Sequence, residues 1–153
     1  MTRPLYIFDL DGTLADTKHR SHFVEGEKKD WAGFFRACVH DKPVLAVIRT
    51  LWWMSDVGAE VQIWSGRSDE VAQETRDWLT RHVWTTPDPG GRQCRMREAG
   101  DYTPDDVLKE RWLNEMSISD RARLVAVFDD RDKVVAMWRR NGVTCFQVAP
   151  GDF

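Results

Sequence analysis

The sequence has few cysteines, and they form no pattern that would cross-link the chain or bind zinc. Cys38, Cys94 and Cys145 are odd in number, and no two of them make a Cys-x-x-Cys pair. This scattered set argues against a disulfide framework and against a structural zinc site. It is typical of reduced thiols, so we expect a cytoplasmic protein.

Long apolar runs and an excess of positive charge are also absent. No stretch is long enough for a membrane span, and Arg3 is not followed by the apolar region of a signal peptide. The formal net charge is -3 at pH 7, so no global field draws the chain to nucleic acid or to a membrane surface. Any anion site must therefore be built from local basic residues.

What the sequence contains is an alternation of apolar runs and helical periodicity. Apolar runs predict strands at residues 4–8, 60–64, 124–128 and 143–148, with a shorter strand near 93–96. Apolar spacing predicts helices at residues 43–57, 69–82, 104–116 and 131–141. Ser68 is a candidate N-cap for the second helix, and Gly142 is placed to end the last one.

Two segments interrupt this alternation. Residues 17–41 are polar around an aromatic cluster of Trp31, Phe34 and Phe35, which predicts a small helical, cap-like insert. Residues 84–101 are rich in proline and glycine, which predicts a long loop.

The order of elements predicts the fold class. Strands that alternate with helices and are apolar almost throughout indicate a parallel sheet that is covered on both faces. We therefore expect residues 1–153 to form a single α/β domain. Its core would be a Rossmann-like open parallel sheet with helices on both faces and the small helical insert after strand 1.

Reactive side chains follow three of the predicted strands. Strand 1 is followed by DLDGT, the strand at 60–64 by Ser65-Gly66-Arg67, and the strand at 124–128 by Asp129-Asp130-Arg131. Because the carboxyl ends of parallel strands share one edge of the sheet, where ligands bind, we expect these groups to converge. Carboxylates, a hydroxyl and basic groups together suit a magnesium ion and a phosphate.

The pair Asp9 and Asp11 is the most informative feature of the sequence. Two carboxylates at the end of a buried strand repel each other and are costly to remove from water, so a cation or a reaction must require them. Gly12 permits the sharp turn that carries the second carboxylate past the strand end. A carboxylate nucleophile beside a carboxylic acid, both near a divalent metal, is an arrangement for phosphoryl transfer.

These motifs resemble those of the haloacid dehalogenase superfamily of phosphatases, in the order DLDGT, the serine of WSGR, Lys109 and the FDD pair. Longer segments resemble the 3′-phosphatase domains of bacteriophage polynucleotide kinase–phosphatases almost from end to end. Those segments are DLDGTLADTKHR, WSGR, GDYTPDDVLKE, DDRDKVVAMWRRNGV and CFQVAPGDF. A phage-encoded member would work in the host cytoplasm.

The resemblance implies a catalytic role for four residues. Asp9 would be the nucleophile that forms an aspartyl-phosphate. Asp11 would protonate the leaving oxygen and then deprotonate the water that hydrolyses the intermediate. Ser65 and Lys109 would hold the non-bridging phosphate oxygens and stabilise the charge of the transition state.

The resemblance also implies a metal site and substrate contacts. The implied magnesium ligands are the Asp9 carboxylate, the backbone carbonyl of Asp11, and the pair Asp129 and Asp130, of which either could ligate directly. The implied substrate-binding residues are Arg20, Gly66, Arg67 and Arg97, since a guanidinium group can bind phosphate through two hydrogen bonds.

The expected function is a magnesium-dependent phosphomonoesterase that acts on nucleic-acid 3′ ends, either DNA or RNA. No GxxxxGK[ST] loop occurs in the 153 residues, so the chain is not expected to phosphorylate 5′ ends by that route. A phosphatase without a kinase could instead act on nucleotides, which makes a small-molecule nucleotidase the first alternative. No prediction of oligomeric state follows from these features.

Two alternatives from other classes fit the sequence less well. A receiver-type signalling module would carry its acidic pair at the first strand and its phosphorylated aspartate after a central strand, which is the reverse of the order here. An inactive end-binding protein would not need the complete set of motif residues.

Overall fold

The computed structural model describes residues 2–85 and 94–152. The strands in this part of the chain are β1 (Leu5–Phe8), β2 (Ala15–Asp16), β3 (Lys42–Pro43), β4 (Glu60–Ser68), β5 (Cys94–Arg97), β6 (Leu124–Asp129) and β7 (Cys145–Gln147). The α-helices are α1 (Trp31–Arg36), α2 (Leu45–Asp56), α3 (Ala72–His82), α4 (Asp105–Glu115), α5 (Ile118–Arg123) and α6 (Asp132–Arg140). Short 3₁₀ helices occupy Lys18–Phe23, Ala37–His40 and Asp69–Val71.

Five of the strands form a parallel sheet in the order β5-β4-β1-β6-β7. The chain leaves β1 toward β4 and β5 on one side and later returns to β6 and β7 on the other. The carboxyl end of β1 therefore lies at the point where the strand order reverses, which is where open α/β sheets bind ligands. Asp9 follows β1 directly and so stands at this point.

Helices cover both faces of the sheet, as the alternating side chains of the strands require. Ile7 of β1 belongs to a core that includes residues of α4 and α6, whereas its neighbour Phe8 belongs to a core that includes residues of α2 and α3. The predicted α/β class, with an open parallel sheet and helices on both faces, is confirmed.

The insert after β1 is closed at its base by a second, two-stranded sheet. Residues Ala15 and Asp16 pair antiparallel with Pro43 and Lys42. Between them, residues 17–41 contain α1 and two of the 3₁₀ helices. The helix was predicted to begin at residue 43. Because Pro43 is part of this pairing, α2 begins at Leu45 instead.

Other differences from the prediction are local. Strand β4 was expected to end at residue 64, but it continues through Ser68 with an irregular register against β5 between Ser65 and Ser68. Ser65, Gly66 and Arg67 therefore lie within the strand and not after it. Helix α5 was not predicted; it is six residues long, and Ser117 caps its N-terminus.

Two caps agree with the sequence. The Ser68 side chain accepts a hydrogen bond from the Glu70 amide, and Gly142 has a φ of 73° after the last turn of α6. Residues 86–93 of the predicted loop at 84–101 lie outside the described residues. Within the described ranges, no helix combines the length and the apolar character needed to span a bilayer.

Candidate active site

Asp9 lies at the centre of a buried charged cluster. Its backbone amide donates to the Phe128 carbonyl at 2.9 Å, which continues the pairing of β1 with β6 past the strand end. Its carboxylate accepts a hydrogen bond from Lys109 Nζ at 2.7 Å, and the same ammonium donates to Asp129 at 2.9 Å. Burial alone would lower the pKa of Lys109, but the charges of Asp129 and Asp9 raise it, so this lysine stays positively charged.

Three carboxylates of the cluster are close enough to share one cation. Ligand oxygens of Asp9, Asp129 and Asp130 lie within 4.8 Å of one another, and all three residues are buried. Burial raises the pKa of Asp9 well above its usual value, and burial together with the Asp129 charge raises the pKa of Asp130 to about 6. One ammonium therefore does not neutralise the three acids. Such an oxygen-only donor set fits Mg²⁺, whose double charge would offset the excess.

The two acids of the β6 end occupy different positions. One oxygen of Asp129 accepts hydrogen bonds from the amides of Asp130 and Arg131 at 3.0 and 3.3 Å, and the other oxygen binds Lys109. The Asp130 carboxylate instead faces Gly12 and lies 3.5 Å from Thr13 Oγ1. A Cβ atom at Gly12, whose φ is +84°, would lie 2.1 Å from Asp130 Oδ2. Glycine is therefore required at position 12 both by the turn and by the approach of Asp130.

Asp11 belongs to a separate cluster with two arginines. Its Oδ1 atom accepts hydrogen bonds from Arg20 Nη2 at 2.8 Å and from Arg67 Nη2 at 2.5 Å. Burial would raise the pKa of Asp11, but the charges of Arg67 and Arg20 outweigh it and hold the pKa below the usual value. Its side chain is 24% exposed, whereas both arginine side chains are fully covered. Arg20 and Arg67, two of the predicted substrate-binding residues, thus bond to Asp11 within the protein, and their contact with substrate stays a prediction.

Asp41 anchors both arginines and was missed by the sequence reasoning. Its buried carboxylate accepts from Arg20 Nε and Nη2 at 2.7 and 2.6 Å, and from Arg67 Nη2 at 3.0 Å. His19 Nε2 lies 2.8 Å from Asp41 Oδ1, the oxygen that also accepts from Arg20 Nε. Asp41 is the last residue before β3, at the base of the insert, so the insert supplies the charge that orients Arg20 and Arg67. No motif marks it, and the burial of the two arginines, which makes an acidic partner necessary, is visible only in the structure.

Ser65 and Gly66 lie on β4, the strand that pairs with β1. Ser65 is fully buried, and its Oγ atom accepts the Arg67 amide at 3.1 Å, so its hydroxyl hydrogen is the group that can donate to a phosphate oxygen. Gly66 allows close approach of Asp105, because a Cβ atom there would lie 2.4 Å from Asp105 Oδ1.

Arg97 holds the chain between β5 and α4. It donates to the carbonyls of Gly66, Asp101 and Thr103 at 2.7, 3.1 and 2.5 Å, and also to Asp105 at 2.5 Å. Arg131 reaches the other oxygen of Asp105 at 2.8 Å. Asp105, which the sequence reasoning also missed, therefore bridges two arginines beside the site. The predicted contact of Arg97 with substrate stays a prediction.

Comparisons of the sequence with known proteins found a matching family and related proteins. The profile of the family described as "Polynucleotide kinase PNKP phosphatase domain" matches residues 3–153. A putative bifunctional polynucleotide kinase/RNA ligase of Autographa californica nuclear polyhedrosis virus is 31% identical over 132 residues, which is 86% of this chain and 17% of the viral protein.

Solved structures also resemble this chain. A chain in the structure of the Pnkp1/Rnl/Hen1 RNA repair complex superimposes with a TM-score of 0.79 at 28% identity, over 99% of this chain and 44% of that one. The class C acid phosphatase of Bacillus anthracis superimposes with a TM-score of 0.67 at 14% identity, over 98% of this chain and 67% of that one, which is a likeness of fold. The chain thus spans less than half of the viral relative and of the chain in the repair complex.

Proposed function

We propose that this chain, which belongs to the family of polynucleotide kinase PNKP phosphatase domains, releases phosphate from the 3′ ends of nucleic acids with the help of Mg²⁺. The chain is a phosphatase by its family, and the 3′ end and the metal are the parts that we propose.

The observation that carries the proposal is the environment of Asp9. A buried carboxylate stands at the switch point of the sheet, with one oxygen held by Lys109 and with two further acids within metal-sharing distance. A structural role does not explain three buried acids against one ammonium, because that excess of charge destabilises the fold. A bound divalent cation and an anionic phosphate that both require these groups do explain it.

The chain's own residues supply the steps of a two-stage hydrolysis. Asp9 attacks the phosphorus atom, the bond to the 3′ oxygen breaks, and Asp11 gives that oxygen a proton. In the second stage Asp11 takes a proton from water, the water oxygen bonds to phosphorus, and the bond to Asp9 breaks to release inorganic phosphate. Lys109 and the Ser65 hydroxyl would hold the non-bridging oxygens throughout.

Arg20 and Arg67 set the protonation state of Asp11. Their charges favour the anion, which suits the second stage, when Asp11 acts as a base. The first stage needs the protonated form, which becomes scarce as the pH rises above the lowered pKa. The proposal therefore implies an optimum on the acidic side of neutral.

Mg²⁺, when bound, would neutralise the acid cluster and polarise the phosphate. Asp9 and Asp130 are the side chains that we assign as direct ligands, together with the Asp11 carbonyl. The support for Asp130 over Asp129 is that both Asp129 oxygens are already bonded to Lys109 and to backbone amides. Asp129 would then position Lys109 and the turn.

The choice of a nucleic-acid end as substrate rests on the family and on the relatives. The family description names a polynucleotide kinase, and the viral relative is described as a putative polynucleotide kinase/RNA ligase. The test compares phosphate release from a 3′-phosphorylated oligonucleotide, from the same oligonucleotide with a 5′-phosphate, and from 3′-mononucleotides, each with Mg²⁺ and with a chelator. Faster release from the 3′-phosphorylated oligonucleotide, lost on chelation, is the expected result. Faster release from mononucleotides would favour a small-molecule nucleotidase.

A further inference from the structure

The end of the chain lies against the turn that carries Asp129 and Asp130. In the pairing of β6 with β7, Gln147 stands opposite Asp129. The Val148 amide then donates to the Asp129 carbonyl at 3.1 Å. The backbone after β7 therefore extends the sheet alongside the metal-site turn and does not leave it for solvent.

The Gln147 side chain forms hydrogen bonds at both ends of this turn, although the residue lies on an edge strand and is exposed. Its side-chain Nε2 donates to the Asp130 carbonyl at 2.9 Å and to Asp132 Oδ1 at 2.6 Å. Asp132 is the first residue of α6, so one carboxamide connects the end of β6 to the start of the helix.

Gly151 also contacts this turn. Its carbonyl accepts the Asp132 amide at 2.7 Å. A Cβ atom at Gly151 would lie 2.0 Å from the Asp130 carbonyl oxygen and 2.6 Å from Arg131 Cα. Only glycine lets the chain end pack this closely on the peptide that follows Asp130.

We propose that Gln147 is a positioning residue for the metal site. Its carboxamide, together with the close packing of Gly151, holds the Asp129–Asp130 turn so that the Asp130 carboxylate faces the cation. Gln147 donates to the Asp130 carbonyl, and Gly151 packs closely against it. A peptide held in this way limits where the Cα–Cβ bond of Asp130 can point. The Asp130 side chain must enter the narrow space between Gly12 and Thr13. Partners beyond the direct ligands commonly change metal affinity by about 10- to 100-fold.

The inference rests on the proposed function, since it assumes that Asp130 binds Mg²⁺. The experiment uses Gln147→Met, which keeps the length of the side chain but cannot donate a hydrogen bond, and Gln147→Ala as a second variant. The matched control is Gln73→Ala. Gln73 is an exposed glutamine on α3 that forms hydrogen bonds with Asp77 and Arg76 at 2.8 and 3.0 Å. The control therefore also removes the hydrogen bonds of a glutamine side chain, but outside the metal site.

Two measurements are made on each folded protein. The first is the rise in unfolding temperature with Mg²⁺ concentration in the absence of substrate, which reports metal binding without turnover. The second is the rate of phosphate release across a Mg²⁺ series. We expect the half-saturating Mg²⁺ concentration to rise about tenfold in both Gln147 variants and not in Gln73→Ala. At saturating Mg²⁺, kcat should return close to the wild-type value.

The outcomes separate this inference from the proposed function. Wild-type half-saturation in both Gln147 variants would overturn the inference, and so would a fall in kcat that Mg²⁺ does not restore. If the wild type itself shows neither Mg²⁺-dependent stabilisation nor Mg²⁺-dependent phosphate release, the proposed function fails first. If one variant does not fold, the other variant decides.

Discussion

Replacement of Asp130 by asparagine should stabilise the metal-free protein, and by an amount that grows with pH. Burial and the neighbouring Asp129 charge raise the pKa of Asp130 to about 6, from a usual value of 3.8. Each unit of pKa difference between the folded and unfolded states is worth about 1.4 kcal/mol, so the ionised carboxylate costs about 3 kcal/mol when the pH is well above 6.

The sign follows from proton binding. Below the unfolded pKa the carboxyl is protonated in both states and carries no penalty. As the pH rises, the unfolded chain ionises first, so the wild type loses stability until the folded carboxyl also ionises. The advantage of Asp130→Asn should be about 1 kcal/mol near pH 4.5 and about 3 kcal/mol near pH 8.

The assay is urea unfolding of both proteins in a chelating buffer across this pH range. Mg²⁺ supplies the control, because a cation that binds the carboxylate should stabilise the wild type and leave Asp130→Asn nearly unchanged. At a Mg²⁺ concentration about 100 times the dissociation constant, the gain for the wild type is about 2.7 kcal/mol. A stability difference that does not change with pH would refute the raised pKa. Equal stabilisation of both proteins by Mg²⁺ would refute the assignment of Asp130 as a ligand.

Four other predictions use simpler measurements. Asp9→Asn should lower initial rates of phosphate release by about three orders of magnitude or more with the circular dichroism unchanged, and near-normal turnover would rule out Asp9 as nucleophile. The wild-type rate should peak below neutral pH and Asp11→Asn should lose this optimum; an unchanged profile would remove Asp11 from proton transfer. Arg20→Ala and Arg67→Ala should reduce kcat/KM equally for an oligonucleotide and an aryl phosphate across a salt series, because both arginines form ion pairs with Asp11. A loss confined to the oligonucleotide would show that the arginines contact the nucleic acid instead. Burial raises the pKa of the Cys145 thiol to about 12, so a disulfide reagent near pH 8 should label it only after unfolding, and rapid labelling of the native protein would contradict its burial.

The resemblance read from the sequence led to the correct fold class and family because the decisive signals are local. The apolar run before Asp9 and the alternation of strands with helices predict where the sheet begins and which edge carries the chemistry. The family and the α/β class are both confirmed. The errors fall where long-range pairing changes a local preference. Pro43, which was predicted to begin a helix, pairs with β2 instead, and β4 continues past residue 64 alongside β5.

The roles of the arginines show the limit of motif reasoning. The sequence places Arg20 and Arg67 near the site, and the predicted partner was substrate. Within the protein, both arginines bond to the motif residue Asp11 and also to Asp41, which lies 21 and 26 residues away along the chain and belongs to no motif. Gln147 and Asp130 are likewise 17 residues apart.

The sequence by itself determined which groups are available: two acids after the first strand, a serine, a lysine and a second acidic pair. Only the tertiary structure decided how each of them is charged. It lowers the pKa of Asp11, raises the pKa of Asp9 and Asp130, and keeps Lys109 positive. The physical reason is that a pKa depends on burial and on the charges within a few ångströms, and the fold brings those charges together from distant parts of the chain.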